Sequence, residues 1–308
     1  MAERTAHLAH GIDICFETFG DPQHAPLLLV MGLGGPMGWW SVELCENLAA
    51  RGFFVIRYDN RDIGRSSRIE TERQPVRRQL VVTYLGRRRH VPYSMSELAT
   101  DGVGLLDHLE IERAHVVGVS MGGMIAQTMA IEHRDRVTSL TSIMATTGRR
   151  YVGWANPRLL PMLFAPTART REEYVARAAM GTAMIGSHHY PRDTAVMRRL
   201  AEETWDRGYS ATGVLRQMLA LVTQPDRTRQ LRTLDIPTLV IHGLADRLVH
   251  PSGGRATARA IPGAELVEIP NMAHDLPAEL DDTIAAAIER TAARAAAQPA
   301  SSPRASAK

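Results

Sequence analysis

Lysine is all but missing from this chain: of 36 basic residues only Lys308 is a lysine, and the rest are arginines. They are scattered along the sequence and nowhere interleave with aromatics. The formal charge of +3 therefore does not describe a nucleic-acid footprint, and no nucleic-acid partner is expected. Cysteine is scarce as well. Cys15 and Cys45 are the two present, and the N-terminus (Met1-Ala2-Glu3-Arg4-Thr5-Ala6-His7) lacks the basic-then-apolar order of a signal peptide. They are expected to be free, inert thiols, and the expected location is cytoplasmic. No apolar run approaches the roughly 18 residues of a membrane-spanning helix, so integral membrane association is not expected. There is no Gly-Lys-Ser/Thr phosphate loop, no Gly-x-Gly-x-x-Gly spacing and no Cys/His/carboxylate cluster at ligand spacing. Neither a cofactor nor a metal is expected.

What is present is centred on one stretch. Ala114-His115-Val116-Val117 reads as a buried strand, Met124 to Ala130 reads as a helix, and between them lies Gly118-Val119-Ser120-Met121-Gly122. A serine on a tight strand-to-helix turn stands proud of a sheet edge, and glycines two residues either side avoid a Cβ clash. The helix that follows aims its free N–H groups and partial positive charge at the place where an oxyanion would form.

Along the chain, Thr5 to Phe19 reads as two short strands turning at His10-Gly11, and Pro26 to Met31 as a continuous apolar strand of a sheet covered on both faces. Gly32-Leu33-Gly34-Gly35-Pro36-Met37-Gly38 follows it. This loop could cradle phosphate, but it is better read as an oxyanion loop offering a backbone N–H. A helix over Ser41–Arg51 and a strand over Phe53–Tyr58 lead to the charged loop Asp59 to Ser67, where Asp59 is expected to brace the loop by pairing with an arginine. The long connection 68–93 carries Arg77-Arg78 and Arg87-Arg88-Arg89-His90. It reads as a solvated basic face or, more sharply, as a site for an anionic substrate part. Ser96 is expected to cap a helix running to Leu109. The strand Val137–Met144 ends without a carboxylate.

From residue 149 to 232 strand patterning stops. Helical periodicity in Arg171–Ile185, Asp193–Arg207 and Thr212–Val222, punctuated by prolines, reads as an inserted cap with a soft, Met-rich surface (Met162, Phe164, Met180, Met184, Met197, Trp205, Met218). The sheet resumes at Pro237–Gly243. A helix (Pro251–Ile261), a strand (Ala264–Ile269), a loop with His274 and a helix (Ala278–Ala295) close it. The expected organisation is a core of residues 1–148 and 233–294, a cap of 149–232 and a disordered Ala/Ser/Pro-rich tail of 295–308.

Strands alternating with helices imply a mostly parallel sheet with helices on both faces, and ligands then bind at the C-terminal ends of the strands. Ser120, Asp246 and His274 each follow an expected strand, so all three should emerge on that edge. A serine hydroxyl needs a base to take its proton, and an imidazole needs a carboxylate behind it to fix its tautomer. Twelve histidines compete for the role of base. His242 lies inside a strand end and is expected to be structural, and His188-His189 have no cluster of further ligands. His274 sits on a turn between the last strand and the last helix, where a base would be held. Asp246 directly follows the penultimate strand, whereas Asp275 is expected to be exposed or to cap a helix. The Leu33 and Met121 amides are the expected oxyanion donors.

Val117 to Gly123, His242-Gly243-Leu244-Ala245-Asp246, Asn271-Met272-Ala273-His274 and Arg57 to Ser67 together resemble the α/β-hydrolase superfamily. The resemblance runs from Thr5 to about Arg294 and is strongest to the actinobacterial esterase/lipase branch that includes anthracycline (aclacinomycin) methylesterases. It implies an α/β-hydrolase fold, with a mostly parallel eight-stranded sheet, flanking helices and an inserted helical cap. It also implies ester cleavage by Ser120, His274 and Asp246 without a cofactor. One departure is Met31-Gly32 where many members have His-Gly, which puts the bracing of the oxyanion loop in question. The serine argues against dehalogenase and epoxide-hydrolase chemistry, for which the family uses aspartate. The expected partner is a small ester of an apolar or polyketide-like acid, with a homodimer as one option. Thioester, phospholipid or perhydrolase chemistry on the same residues, or a non-catalytic ligand-binding role, are the alternatives.

Overall fold

The short apolar runs of the sequence pair into one sheet. A computed structural model of the chain describes residues 2–70, 91–159, 168–191 and 193–297. Its strands are β1 (Arg4–His7), β2 (Asp13–Phe19), β3 (Ala25–Val30), β4 (Phe53–Tyr58), β5 (Ala114–Val119), β6 (Val137–Ile143), β7 (Thr238–Gly243) and β8 (Glu265–Ile269). They lie in the order β1-β2-β4-β3-β5-β6-β7-β8. The β1–β2 and β2–β4 ladders are antiparallel, and every other ladder is parallel. The eight-stranded, mostly parallel sheet is thus as expected.

Helices follow as α1 (Val42–Ala50), α2 (Met95–His108), α3 (Met121–Glu132), α4 (Arg171–Ile185), α5 (Thr194–Asp206), α6 (Ala211–Thr223), α7 (Thr228–Leu231), α8 (Ser252–Ala260) and α9 (Asp281–Ala296). Because side chains alternate along a strand, β3 feeds both faces. Leu28 and Val30 join one apolar cluster with Leu98 and Leu106 of α2 and Ile125 and Met129 of α3. Leu27 and Leu29 join another with Leu44 and Leu48 of α1 and Ile284 and Ile288 of α9. Each such side chain removed from water contributes about 1.5–3 kcal/mol, so the two-sided sandwich is held mainly by these rows.

Two local expectations are corrected. The α2 cap is Ser94, not Ser96. Its hydroxyl accepts from the Ser96 amide, while Glu97 reaches back to the Ser94 amide at 2.8 Å, closing a capping box two residues earlier than the apolar pattern alone suggests. Helix α9 also runs to Ala296, past the expected start of the tail at 295. The basic segment Arg77–His90, together with Met162 and Phe164 of the insertion, lies outside the described residues. Among the described residues no helix is long and apolar enough to cross a membrane.

The first residue of α9, Asp281, is pushed up to about 6 by burial and then by the charges of Glu43, Asp282 and Glu279. Burial, reinforced by this crowding of carboxylates, outweighs the preference of a helix N-terminus for an acid. The folded state holds this proton where the unfolded carboxyl (near 3.9) has lost it, so stability falls as pH rises from about 4 to 6 and stays reduced above. Asp281→Asn is therefore expected to raise the melting temperature at pH 7.5 and to give little gain at pH 4. Thermal melts across that range check it, and a gain that does not change with pH would contradict the crowding account.

Helices α4 to α7 fill the connection between β6 and β7 and are fastened to the 59–67 loop. Asp59, wholly buried, accepts from the Met37 amide (2.8 Å), the Arg65 amide (2.9 Å) and Arg207 Nε (2.9 Å) at the end of α5. Asp62, also buried, accepts from Arg216 Nε of α6 (2.8 Å) and from the Tyr93 hydroxyl (2.7 Å). Asp59 does brace the loop through an arginine, as expected. That arginine comes from the insertion rather than from the loop.

Candidate active site

The parallel ladders align the C-terminal ends of β3, β5, β6, β7 and β8 along one edge, and the loops leaving that edge carry the expected residues. Ser120 links β5 to α3 with φ 56° and ψ −120°, a backbone conformation that costs an L-residue of order 1–3 kcal/mol. The surroundings hold it there. The Ser120 amide donates to the Ile143 carbonyl at 2.9 Å, and the Ser120 carbonyl accepts from the Gly123 amide at 3.0 Å. A Cβ at Gly118 would sit 2.1 Å from the Gly122 carbonyl oxygen, and one at Gly122 would sit 2.0 Å from that of Val30. The two glycines are what allow strand, turn and helix to approach so closely.

His274 Nδ1 lies 2.7 Å from Asp246 Oδ2, and His274 Nε2 lies 2.9 Å from Ser120 Oγ. The ring is 7% exposed and the carboxylate wholly buried. Asp246 Oδ1 accepts from the Leu248 (2.8 Å) and Val249 (2.9 Å) amides, so the carboxylate's orientation is set by backbone. Burial works to raise its pKa. The charge of His274, hydrogen bonds from His242 and His274, and the Val249 amide outweigh burial and hold it well below the usual carboxylate range. With Asp246 ionised, His274 Nδ1 is the donor of that pair and Nε2 is left to accept the serine proton. His242 is buried under the same loop, its Nε2 donating to the Val249 carbonyl at 2.8 Å. His115 bonds Ser139 at 2.8 Å, and burial pushes its pKa down to about 4.

Met121 is the first residue of α3, and Leu33 lies in the loop after β3 whose Gly32 would place a Cβ 3.2 Å from that of Ser120. Among the described residues neither the Leu33 nor the Met121 amide has a hydrogen-bond partner, which leaves both able to serve an oxyanion. No group of three or more His, Cys, Asp or Glu side chains poised for a metal occurs among the described residues. Cys15 and Cys45 are free and buried, and burial pushes both thiols up to about 12.

Asp275 departs from expectation, being neither exposed nor a helix cap. Its carboxylate accepts from the amide (2.9 Å) and the hydroxyl of Ser187, just after α4. The Ser187 hydroxyl in turn accepts from the Ala273 amide at 2.8 Å, and the His274 amide donates to the Ile185 carbonyl at 3.0 Å. Three consecutive residues around the imidazole are thus clasped by the insertion. Sequence reasoning missed Ser187 because nothing local ties residue 187 to residue 275.

The profile of the alpha/beta hydrolase fold family matches residues 25–279. The chain is 33% identical over 293 residues to the rhodomycin D methylesterase DauP of Streptomyces sp. (strain C5), spanning 88% of this chain and 92% of that protein. It is 32% identical over 294 residues to the rhodomycin D methylesterase DnrP of Streptomyces peucetius, with the same spans of 88% and 92%. Among solved structures, the enol-lactonase from Burkholderia xenovorans LB400 superposes with a TM-score of 0.69 at 22% identity, covering 96% of this chain and 100% of that one, which shows a shared fold. The resemblance carried by the Gly-x-Ser-x-Gly, His-Gly-x-x-Asp and Ala-His motifs is borne out, and this chain belongs to the α/β-hydrolase fold family.

Proposed function

We propose that this chain hydrolyses carboxylic esters with Ser120 as nucleophile, His274 as general base and acid, and Asp246 as its orienting carboxylate. The observation that carries the reading is the continuous line from the Ser120 hydroxyl to His274 at 2.9 Å and on to Asp246 at 2.7 Å. His274 Nε2 removes the serine proton as Oγ attacks the ester carbon. The tetrahedral oxyanion is held by the Leu33 and Met121 amides, and the same imidazolium then protonates the departing alcohol. An acyl-enzyme remains, which water cleaves by the same steps in reverse order.

The names of the two Streptomyces relatives support a methyl ester as the scissile group. An apolar acid is supported by the methionines of the insertion: Met184, Met197 and Met218 are half-buried and Met180 is 66% exposed, a soft and adaptable surface. Methanol would then be the leaving group and a bulky acyl portion the recognised one.

Incubation with a fluorophosphonate probe tests the central assignment. The wild-type protein is expected to gain one covalent label on Ser120 and to lose methyl-esterase activity in step with labelling. A Ser120→Ala variant that folds and still takes the label, or still turns over a methyl ester at the wild-type rate, would remove Ser120 from the chemistry.

A further inference from the structure

Met31 leads into the glycine-rich loop after β3 with a side chain that cannot donate a hydrogen bond, which raises the question of what braces that loop. Its two ends are held from the core: Asn60 Nδ2 donates to the Met31 carbonyl at 3.0 Å, and the Met37 amide donates to Asp59 at 2.8 Å. Inside, a single turn closes it, the Gly35 amide donating to the Gly32 carbonyl at 3.2 Å. Further ties come from the connection between β6 and β7: Trp39, whose ring lies against Gly35, donates from Nε1 to Thr204 of α5 at 3.0 Å. Gln217 of α6, wholly buried, accepts the Gly34 amide on its Oε1 at 3.0 Å and donates from Nε2 to the Arg61 carbonyl at 3.1 Å.

We infer that Gln217 is the positioning residue of the oxyanion loop. Its carboxamide bridges the loop's apex to the 59–67 loop and so fixes the neighbouring Leu33 amide towards the reacting carbon. The inference rests on the reading of Leu33 as an oxyanion donor. Both ends of the carboxamide are used, one accepting and one donating, so its orientation is fixed. Its platform is fixed as well, because the adjacent Arg216 is locked on buried Asp62. An oxyanion donor acts through pre-organisation: an amide that must first be brought into place gives back part of what it contributes in the transition state, with little effect on ground-state binding. Among the described residues Gln217 has no hydrogen bond to Ser120; it reaches the oxyanion loop through Gly34.

The test is Gln217→Met, which keeps the side chain's length and removes both hydrogen bonds. The expected result is a kcat lower by about tenfold to a hundredfold, below the roughly 10²–10³ of deleting a donor outright, with KM within about twofold. Affinity for an alkyl boronic acid, a tetrahedral adduct of the serine, is expected to fall with kcat/KM, whereas affinity for the product carboxylate is not. An unchanged kcat, or a loss confined to KM, overturns the inference. Should Gln217→Met not fold, amide exchange in the wild-type protein decides: Gly34 is expected to be protected, and exchange at the free-peptide rate overturns the bond. Ser120→Ala separates the two levels. Turnover surviving that change sinks the reading of Ser120 as nucleophile, and with it that of Leu33 as oxyanion donor, while its loss alongside a fully active Gln217→Met sinks the Gln217 assignment alone.

Discussion

Asp246→Asn is expected to lower kcat by on the order of 10⁴-fold while leaving KM and the fold nearly unchanged. The reason lies in which oxygen is already committed. Oδ1 of Asp246 accepts from the Leu248 and Val249 amides, so an asparagine would direct its carbonyl there and turn its NH₂ towards His274. Nδ1 of His274, 2.7 Å from Oδ2 in the wild-type protein, would then face a donor and become the acceptor. The ring's proton would move to Nε2, the atom that must accept from Ser120 at 2.9 Å. A base with its proton on the wrong nitrogen cannot take another. Steady-state kinetics with a methyl ester, together with circular dichroism to show an intact fold, measures this. A loss of less than tenfold would mean that the imidazole is oriented by something other than Asp246.

Asp59→Ala is expected to cost roughly 3–5 kcal/mol, a large share of the about 5–15 kcal/mol that keeps a domain folded. The carboxylate has no solvent exposure and receives two backbone amides as well as the Arg207 guanidinium. Removing it orphans the two amides and leaves Arg207, 13% exposed, with Glu3 as its remaining carboxylate. At a few degrees per kcal/mol, the melting temperature should fall by about 6–15 °C. A double-mutant cycle with Arg207→Ala isolates the pair, since that change should cost less once Asp59 is gone and only the Glu3 and Cys15 contacts remain to lose. Additive losses would show that the two groups act independently and that the insertion is fastened elsewhere.

What was legible in the sequence is what local chemistry dictates. Period-two and uninterrupted apolar runs gave the strands to within a residue or two, because one-sided or two-sided burial writes itself into consecutive positions. Ser120, Asp246 and His274 could be singled out because each follows a strand and sits among small or turn-forming residues. Their convergence depends on strand order, which a parallel α/β pattern already constrains. What was not legible joins residues far apart through a single side chain. Arg207 on Asp59, Arg216 on Asp62, Gln217 on Gly34 and Ser187 on Asp275 span 148, 154, 183 and 88 positions. Arginines are so numerous in this chain that no one of them stands out, and a buried glutamine has no pattern of its own. The cap expected at Ser96 lies two residues earlier for a simpler reason: Ser94 and Ser96 both precede the apolar face, and it is the three-residue spacing of Ser94 to Glu97 that distinguishes them.

The clasp of Ser187 around the residues flanking His274 bears on how such enzymes diversify. An insertion that supplied nothing but walls could be exchanged between relatives like a cartridge, carrying a new substrate preference into an unchanged engine. Here the cartridge holds one half of a latch and the engine the other, so a chimera that imports a foreign segment without a partner for Asp275 would loosen the turn that carries His274. Replacing the whole connection between β6 and β7 would therefore have to keep a hydroxyl at position 187 for both contacts to survive.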